Sequence, residues 1–478
     1  MSIEVKDVQM HVLNMRTRFP FKYGIASLVA LPHLFVRVDA EIDGRRAVGV
    51  AADGLPPKWF TKNPEAPFES DLDEMLAVIG NATKLTEDSE TSGSVYELWQ
   101  HIYEGQSSWA ASMAYPPLLW GFGVSLVERA LIDAFCRAQE TTFANAVRED
   151  GLGVNLGAIH PELGGTKAAE FLPADPLSDI RVRHTVGLAD PLTAADIQEE
   201  DRLTDGLPHS LEENIQTYGL THLKIKLCGD ADADRARLKQ IAGLMSGRQC
   251  EFTLDGNEQY TELAPFRALW EAIRSDTELD AFLGGLIFVE QPLHRDVALS
   301  DEAQAVLSDW GDCPPMIIDE SDGSLDSSRR ALECGYVGTS HKNCKGIFKG
   351  VANACLMARR ATETGIPHIL SSEDLANVGP VALTQDLAVL ATLGISHSER
   401  NGHHYFAGLS MFPDDVQGQI ESHHGTLYRS EGAFPTLAVT DGRLDVSSVV
   451  MAPFGYAFDL DTTRYTPLDE WSADSLDL

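Results

Sequence analysis

Three stretches decide the fold: EFTLDGN (251–257), GGLIFVEQP (284–292) and PMIIDES (315–321). Each is a short apolar run that ends in a carboxylate. Between the first two, Leu263, Phe266, Leu269, Trp270 and Ile273 recur at helical spacing, so a helix presents one apolar face. Short strands alternating with amphipathic helices predict a parallel sheet, because parallel strands need crossover connections. The rhythm extends outward in both directions. Upstream lie RVRHTVGL (181–188) and HLKIKL (222–227), the latter followed by a helix carrying Leu238, Ile241 and Met245. Downstream lie YVGTSHKN (336–343), PHILSSED (367–374) and ISHSERNG (395–402). That makes eight strands, enough to close a barrel over residues 181–400.

The flanking segments read differently. LFVRVDAEIDGRRAVGVAAD (34–53) alternates around Asp43-Gly44, a hairpin signal. Between Phe68 and Glu140 the period turns helical, and SLVERALIDAF (125–135) is expected to carry an apolar stripe with its charges opposite. Residues 1–180 are therefore expected to form an α+β capping domain, with a Gly/Pro-rich loop or insertion near 151–176. Residues 401–478 should return to that domain and end in an acidic tail.

Composition narrows the function classes. The chain has 478 residues, of which 44% are hydrophobic, so a large core is possible. Its 37 basic and 72 acidic residues give a net charge of −35, which repels nucleic acid and anionic membranes. An anionic substrate would need a concentrated positive centre. Seven scattered cysteines lack CxxC spacing and predict neither a disulfide framework nor a zinc site. The opening MSIEVKDVQMHV alternates like a strand and not like a signal peptide, and no apolar run is long enough to span a membrane. A cytoplasmic protein is expected.

Polar residues gather at the strand ends, where barrels of this kind place their sites. Asp255, Glu290 and Asp319 end three consecutive strands and should converge at the barrel mouth. Such close carboxylates repel unless one is protonated or a cation joins them. Oxygen-only ligands suit Mg²⁺. In HLKIKL, Lys224 and Lys226 are two apart and share a face. A lysine beside a metal and a second lysine has its neutral amine favoured and can act as a base. Lys342 should face Lys226 across a substrate.

The set KIK, LDGN, FVEQP, IIDES and HKN resembles the enolase superfamily, most closely its muconate-cycloisomerase branch. The intervals of 29 residues from Lys226 to Asp255 and 23 from Asp319 to Lys342 are similar to that family's. The 35 residues from Asp255 to Glu290 are more than usual. SLVERALIDAF resembles the family's IExALxDL helix, and FPFKYG (19–24) and DGLPPKWF (53–60) stand where its two specificity loops lie. The resemblance implies a (β/α)7β-type TIM barrel with an α+β capping domain. It implies Asp255, Glu290 and Asp319 as Mg²⁺ ligands, Lys226 and Lys342 as opposed acid/base groups, and Lys224 beside the carboxylate or enolate oxygen. Asn257 and Glu320 would support them, and Glu373 joins them as an ion-pair residue.

The sequence also departs from the pattern. After Lys342 runs KNCKGIFKG (342–350), so Lys345 is a second candidate for the sixth-strand lysine. Glu373 stands where the mandelate-racemase branch has its catalytic histidine, and Glu399 resembles the acid ending that branch's eighth strand. His403-His404 and His423-His424 are not expected to share a metal, since neighbours on a strand face opposite ways. Trp59 and Phe60 could cover the pocket or pack the cap. The implied activity is removal of the proton α to a carboxylate in a small molecule, with racemisation or epimerisation first. Acid-sugar dehydration and cycloisomerisation share that step, and a non-catalytic, metal-stabilised binding barrel is the other class. A homo-oligomer is expected.

Overall fold

A computed structural model describes residues 1–430 and 432–477. The chain opens with three antiparallel strands, β1 (Ile3–Tyr23), β2 (Ala26–Ile42) and β3 (Arg45–Gly54). The β2–β3 turn is the expected Asp43-Gly44, both with positive φ (51° and 79°), as a tight right-twisted hairpin needs. Three helices follow: α1 (Phe68–Glu87), α2 (Val95–Met113) and α3 (Pro117–Ala138). Ser94 caps α2 by accepting from Glu97 N, and Pro117 opens α3 at a position that needs no N–H.

α3 differs from its expected amphipathic form. Its charges do not face water: Glu128, Arg129 and Asp133 are all 0% exposed. The helix lies between the cap sheet and the barrel, so each charge meets a fixed partner. Glu128 accepts from Ile347 N and Phe348 N at 3.0 and 2.7 Å, at the start of the barrel helix Ile347–Thr364. Arg129 pairs with Asp53 of β3 at 2.8 Å. Asp133 accepts from Val50 N and Tyr456 Oη. Close approach of α3 to β3 requires Gly49, where a Cβ would lie 2.0 Å from Ala130 O.

The barrel strands are β4 (Asp179–Val186), β5 (His222–Lys226), β6 (Glu251–Asp255), β7 (Leu286–Glu290), β8 (Met316–Ile318), β9 (Gly338–His341), β10 (Ile369–Ser372) and β11 (His397–Arg400). All eight are parallel, and β11 returns to pair with β4. Between β10 and β11 a side chain makes the join, Ser398 Oγ donating to Ser372 O, and Arg183 Nη2 of β4 donates to the same carbonyl from across the barrel end. The register places Lys226, Asp255 and Glu290 side by side at one level of the barrel. The α/β barrel with an antiparallel cap is thus the architecture the sequence rhythm predicts.

Residues 151–176 form short helical turns, two of them Leu156–Ile159 and Pro161–Leu163, and His160 bonds Asn353 of the 347–364 helix at 2.8 Å. The last segment touches both layers. Arg443–Asp445 adds antiparallel to β4, and Thr466–Pro467 adds to β1. Among the described residues, no helix is long and apolar enough to cross a membrane.

Candidate metal and acid–base site

One cavity at the strand carboxyl ends is lined by Lys226, Asp255, Asn257, Asp319, Glu320, Lys342, Glu373 and Glu399. At its base, buried Lys224 is the hub. Its Nζ lies 3.0 Å from Asp255 Oδ2, Glu290 Oε2 and Glu399 Oε2, and bonds Glu373 Oε1. Lys226 Nζ donates to Asp255 Oδ2 at 2.6 Å. On the opposite wall, after β9, Lys342 Nζ donates to Asp319 Oδ2 at 2.8 Å and lies 3.0 Å from Glu373 Oε2.

Lys345 does not share that position. Its Nζ is used up by Asp319 O (2.7 Å), Asp319 Oδ1 (2.6 Å) and Ser340 O (2.7 Å), and it does not line the cavity. A lysine with all three donors satisfied on one side of a strand end is a brace.

Oxygen atoms of Glu290, Asp319 and Glu373 come within 4.8 Å of one another, and all three side chains are buried. Asp255 stands beside this cluster, joined to Glu290 through Lys224. Its oxygens also accept from Asn257 N (2.9 Å) and Asn257 Nδ2 (3.2 Å). The cluster therefore includes Glu373, expected from the sequence as a supporting residue and not as a metal ligand. Nothing local in SSED marks it; its place follows from β10 sitting next to β9.

The electrostatics follow from burial. Glu290 is pushed well above the usual carboxylate range by burial, and the Glu373 charge adds to this. Burial would also raise Glu373, but Lys224 and Lys342 hold it well below that range. For Asp255, burial is outweighed by Lys224 and Lys226, which bring it to about 2. Burial, then Asp319, pushes Glu320 to about 8. Burial alone would lower the three lysines, yet the acids raise Lys226 and raise Lys224 and Lys342 far more. The neutral amine expected from like-charge repulsion is thus opposed by the carboxylates. It emerges only where another positive charge engages those acids.

The lid side comes from the cap. Phe21 and Tyr23 of β1, with Pro56 and Trp59 after β3, line the same cavity. The Trp59 ring lies 4.3 Å from Lys342 Nζ, and Phe60 stacks on Phe122, so one residue covers the pocket and the other packs the cap. A clamp fixes this lid. Arg295 donates to Phe60 O (2.8 Å), Trp59 O (2.9 Å) and both oxygens of Glu258, while Lys62 Nζ donates to Asn257 O at 2.7 Å. Asn257 and Glu258 themselves sit at φ of 45° and 60°, a strained state for such side chains.

His403 and His404 lie on a helical turn (Gly402–Tyr405), not on a strand, because the chain turns at Asn401. His403 Nε2 meets His184 Nδ1 at 3.0 Å, and His404 Nδ1 meets Asn214 Nδ2 at 3.2 Å. Burial pushes His403 down to about 3. Among the described residues, only the Glu290, Asp319 and Glu373 group has metal-ligand spacing.

Barrel and cap together form a fold shared with many solved structures, among them a mandelate racemase/muconate lactonizing protein from Herpetosiphon aurantiacus, 16% identical with a TM-score of 0.55 over 83% of this chain and 88% of its own. No protein-family model matches the chain, and no curated protein does. An enolase from Bradyrhizobium complexed with magnesium and mandelic acid is 13% identical, with a TM-score of 0.58, over 97% of this chain and 99% of its own. A dipeptide epimerase from Enterococcus faecalis, complexed with Mg and the dipeptide L-Leu-L-Tyr, is 18% identical with a TM-score of 0.55. That likeness covers 84% of this chain and 92% of the other. N-succinyl Arg/Lys racemase from Bacillus cereus is 16% identical, TM-score 0.55, over 84% and 87%.

Proposed function

We propose that this chain is an enolase-superfamily enzyme that removes and returns the α-proton of a carboxylate substrate, acting as a racemase or epimerase. The observation that carries the reading is the placing of Lys226 and Lys342 on opposite walls of one cavity, with the acid cluster between them.

The residues fit a hard divalent cation. Glu290 Oε1, Glu320 Oε2 and Asn257 Oδ1 are buried without a hydrogen-bond partner, and all are acceptors. Unmet oxygens at a carboxylate cluster suit Mg²⁺ rather than a thiolate- or imidazole-seeking metal. Glu290, Asp319 and Glu373 have the spacing to hold it, and Asp255, beside them on Lys224, would complete the set. When bound, Mg²⁺ supplies positive charge beside the substrate carboxylate, which acidifies the α-proton.

The chain's own groups do the rest. Lys224, held beneath the cavity by Asp255, Glu290, Glu373 and Glu399, keeps a positive charge under the substrate carboxylate as charge builds on it. One enantiomer presents its proton to Lys226 Nζ and the other to Lys342 Nζ. The neutral lysine takes that proton, and the ammonium on the far wall delivers another to the opposite face. Trp59 and Phe21 keep water from the carbanionic carbon. A lysine on each wall favours racemisation over dehydration or cycloisomerisation, which share the first step.

The test is α-deuterium incorporation from ²H₂O into the separate enantiomers of candidate carboxylates. Lys226→Ala should stop exchange from one enantiomer and Lys342→Ala from the other, each by about 10²–10⁴-fold. If both variants exchange both enantiomers at the wild-type rate, the two-base reading fails.

A further inference from the structure

We propose a second ligand site, outside the metal cavity, that takes a free α-amino acid with an apolar side chain: Asp190 receives its ammonium and Arg237 its carboxylate. The inference does not depend on the reaction proposed above.

A cavity of about 730 Å³ lies behind the end of β1, and that strand separates it from the metal cavity. Phe21 and Tyr23 line the metal cavity, whereas Phe19, Pro20 and Lys22 line the second. Its inner wall holds two opposite charges that do not meet. Asp190, only 6% exposed, accepts at Oδ2 from Gly187 N at 2.7 Å and from Tyr405 Oη at 2.6 Å. Its Oδ1 accepts no hydrogen bond from the described residues. His404, 3.8 Å from Oδ2, is no counter-charge, because burial drives it well below its usual range. Arg237, on the helix Ala231–Leu244, spends Nη2 on Gly187 O (2.8 Å) and Asp190 O (3.0 Å). Its Nε is buried without a partner, and no acid among the described residues pairs with it.

Both charges are therefore desolvated without a partner to offset the cost. Burial raises Asp190 and lowers Arg237, and their attraction across the wall cancels neither shift. Their own bonds hold them apart, Asp190 on Tyr405 and Arg237 on the two carbonyls. They hang from one short stretch, since Arg237 grips the carbonyl of Asp190 itself. A ligand with both signs on adjacent atoms satisfies the two at once. An anion alone would meet Asp190, and a cation alone would meet Arg237. The remaining charges of the wall are committed or lie in solvent. Arg18 is bound by both oxygens of Asp205, Arg202 by Glu199, and Asp196 accepts from Thr193. Lys22, Glu200 and Asp201 are exposed. Phe19, Leu192, Ile197 and Leu203 supply carbon surface for an apolar side chain. Tyr405, the partner of Asp190, stacks on Phe21 at 4.1 Å, so an occupant is tied to the lid strand.

Three probes of one shape separate the charge classes: L-leucine, its methyl ester as the cation and isocaproate as the anion. Each is titrated calorimetrically into the full chain with Mg²⁺ and again in EDTA. Leucine should bind at least about tenfold tighter than either analogue, and equally in both media. Arg237→Gln and Asp190→Asn, each checked for folding by its melting curve, should each weaken leucine about tenfold or more. Hydrogen exchange in residues 18–23 should slow when leucine binds. The ligand series needs no variant, so it decides the matter even where a substitution unfolds the chain. Equal or tighter binding of the ester or isocaproate overturns the inference. So does leucine binding that vanishes in EDTA, which places it at the metal cavity, or that survives unchanged in both folded variants. No heat from leucine at millimolar concentration overturns it as well.

Discussion

Replacing Arg295 with Ala tests whether the lid is held by a buried ion pair. In the native protein Arg295 makes four bonds of 2.8–2.9 Å: two to Glu258 and two to the carbonyls of Trp59 and Phe60. The Glu258 side chain is 3% exposed. Deleting the guanidinium leaves that carboxylate with Lys62 at 3.7 Å as its remaining cation. Removing one partner of a buried pair costs about 3–5 kcal/mol. The two lid carbonyls lose their donor as well, which adds about 1 kcal/mol each. Partial relief of strain at Asn257 and Glu258, worth about 1–3 kcal/mol per residue in full, offsets the carbonyl loss. The expected loss in urea unfolding is thus about 3–5 kcal/mol, with hydrogen exchange rising in residues 55–62. Glu258→Gln should cost less, and the double variant less than the sum, with a coupling of about 1–3 kcal/mol. Additivity within about 0.5 kcal/mol, together with unchanged exchange in 55–62, would refute the clamp.

The clamp also sets a pH dependence. Although burial works the other way, Arg295 lowers the Glu258 pKa, so its contribution is present above 4.5 and lost as pH falls through the depressed folded value. The melting-temperature gap between wild type and Arg295→Ala should narrow on acidification below that point. Lys345→Met should cost about 3 kcal/mol or more, because three acceptors, one of them the Asp319 carboxylate, lose their donor. Lys342→Met should cost less than Lys345→Met, since Asp319 keeps Lys345, Glu373 keeps Lys224 and no backbone carbonyl loses a donor; chemical denaturation of both variants ranks them. Mg²⁺ at 100 times its Kd should stabilise the protein by about 2.7 kcal/mol, read as a thermal shift. Glu290→Gln should remove most of that shift, and an unchanged shift would take Glu290 out of the metal site.

How much of this could be read from the chain depends on how local each signal is. The barrel was legible because strand and helix periods are local, and strand ends are where its polar residues must gather. Lys224 and Lys226 share a face by strand geometry alone, and the register confirms that Lys226 adjoins Asp255. Glu373 was legible as a supporting residue but not as a member of the acid cluster, because its neighbours Glu290 and Asp319 arrive from other strands. The Arg295–Glu258 clamp joins two loops 37 residues apart with no periodic mark on either. The histidine argument failed on its premise: it assumed an extended chain at His403-His404, where the backbone coils. For α3 the helical period was right, but its polar face read as solvated. The partners that bury it, Asp53, Val50 and Ile347, lie far away in sequence and could not be foreseen.

That last helix bears on how such a protein can be inherited or rebuilt. Each of the three fully buried charged residues of α3, Glu128, Arg129 and Asp133, is answered from outside the helix: Asp53 and Val50 from the cap sheet, Ile347 and Phe348 from the barrel, and Tyr456 from the closing segment. Cutting the chain near residue 180 would leave Glu128 facing the amide nitrogens of a helix that had gone with the other fragment, and strand those amides in turn. A cap grafted from another barrel would meet the same mismatch unless its own α3 carried acids at matching positions. Cap and barrel are therefore expected to tolerate exchange only as a unit, because a change at either face leaves a buried polar group on the other without its partner.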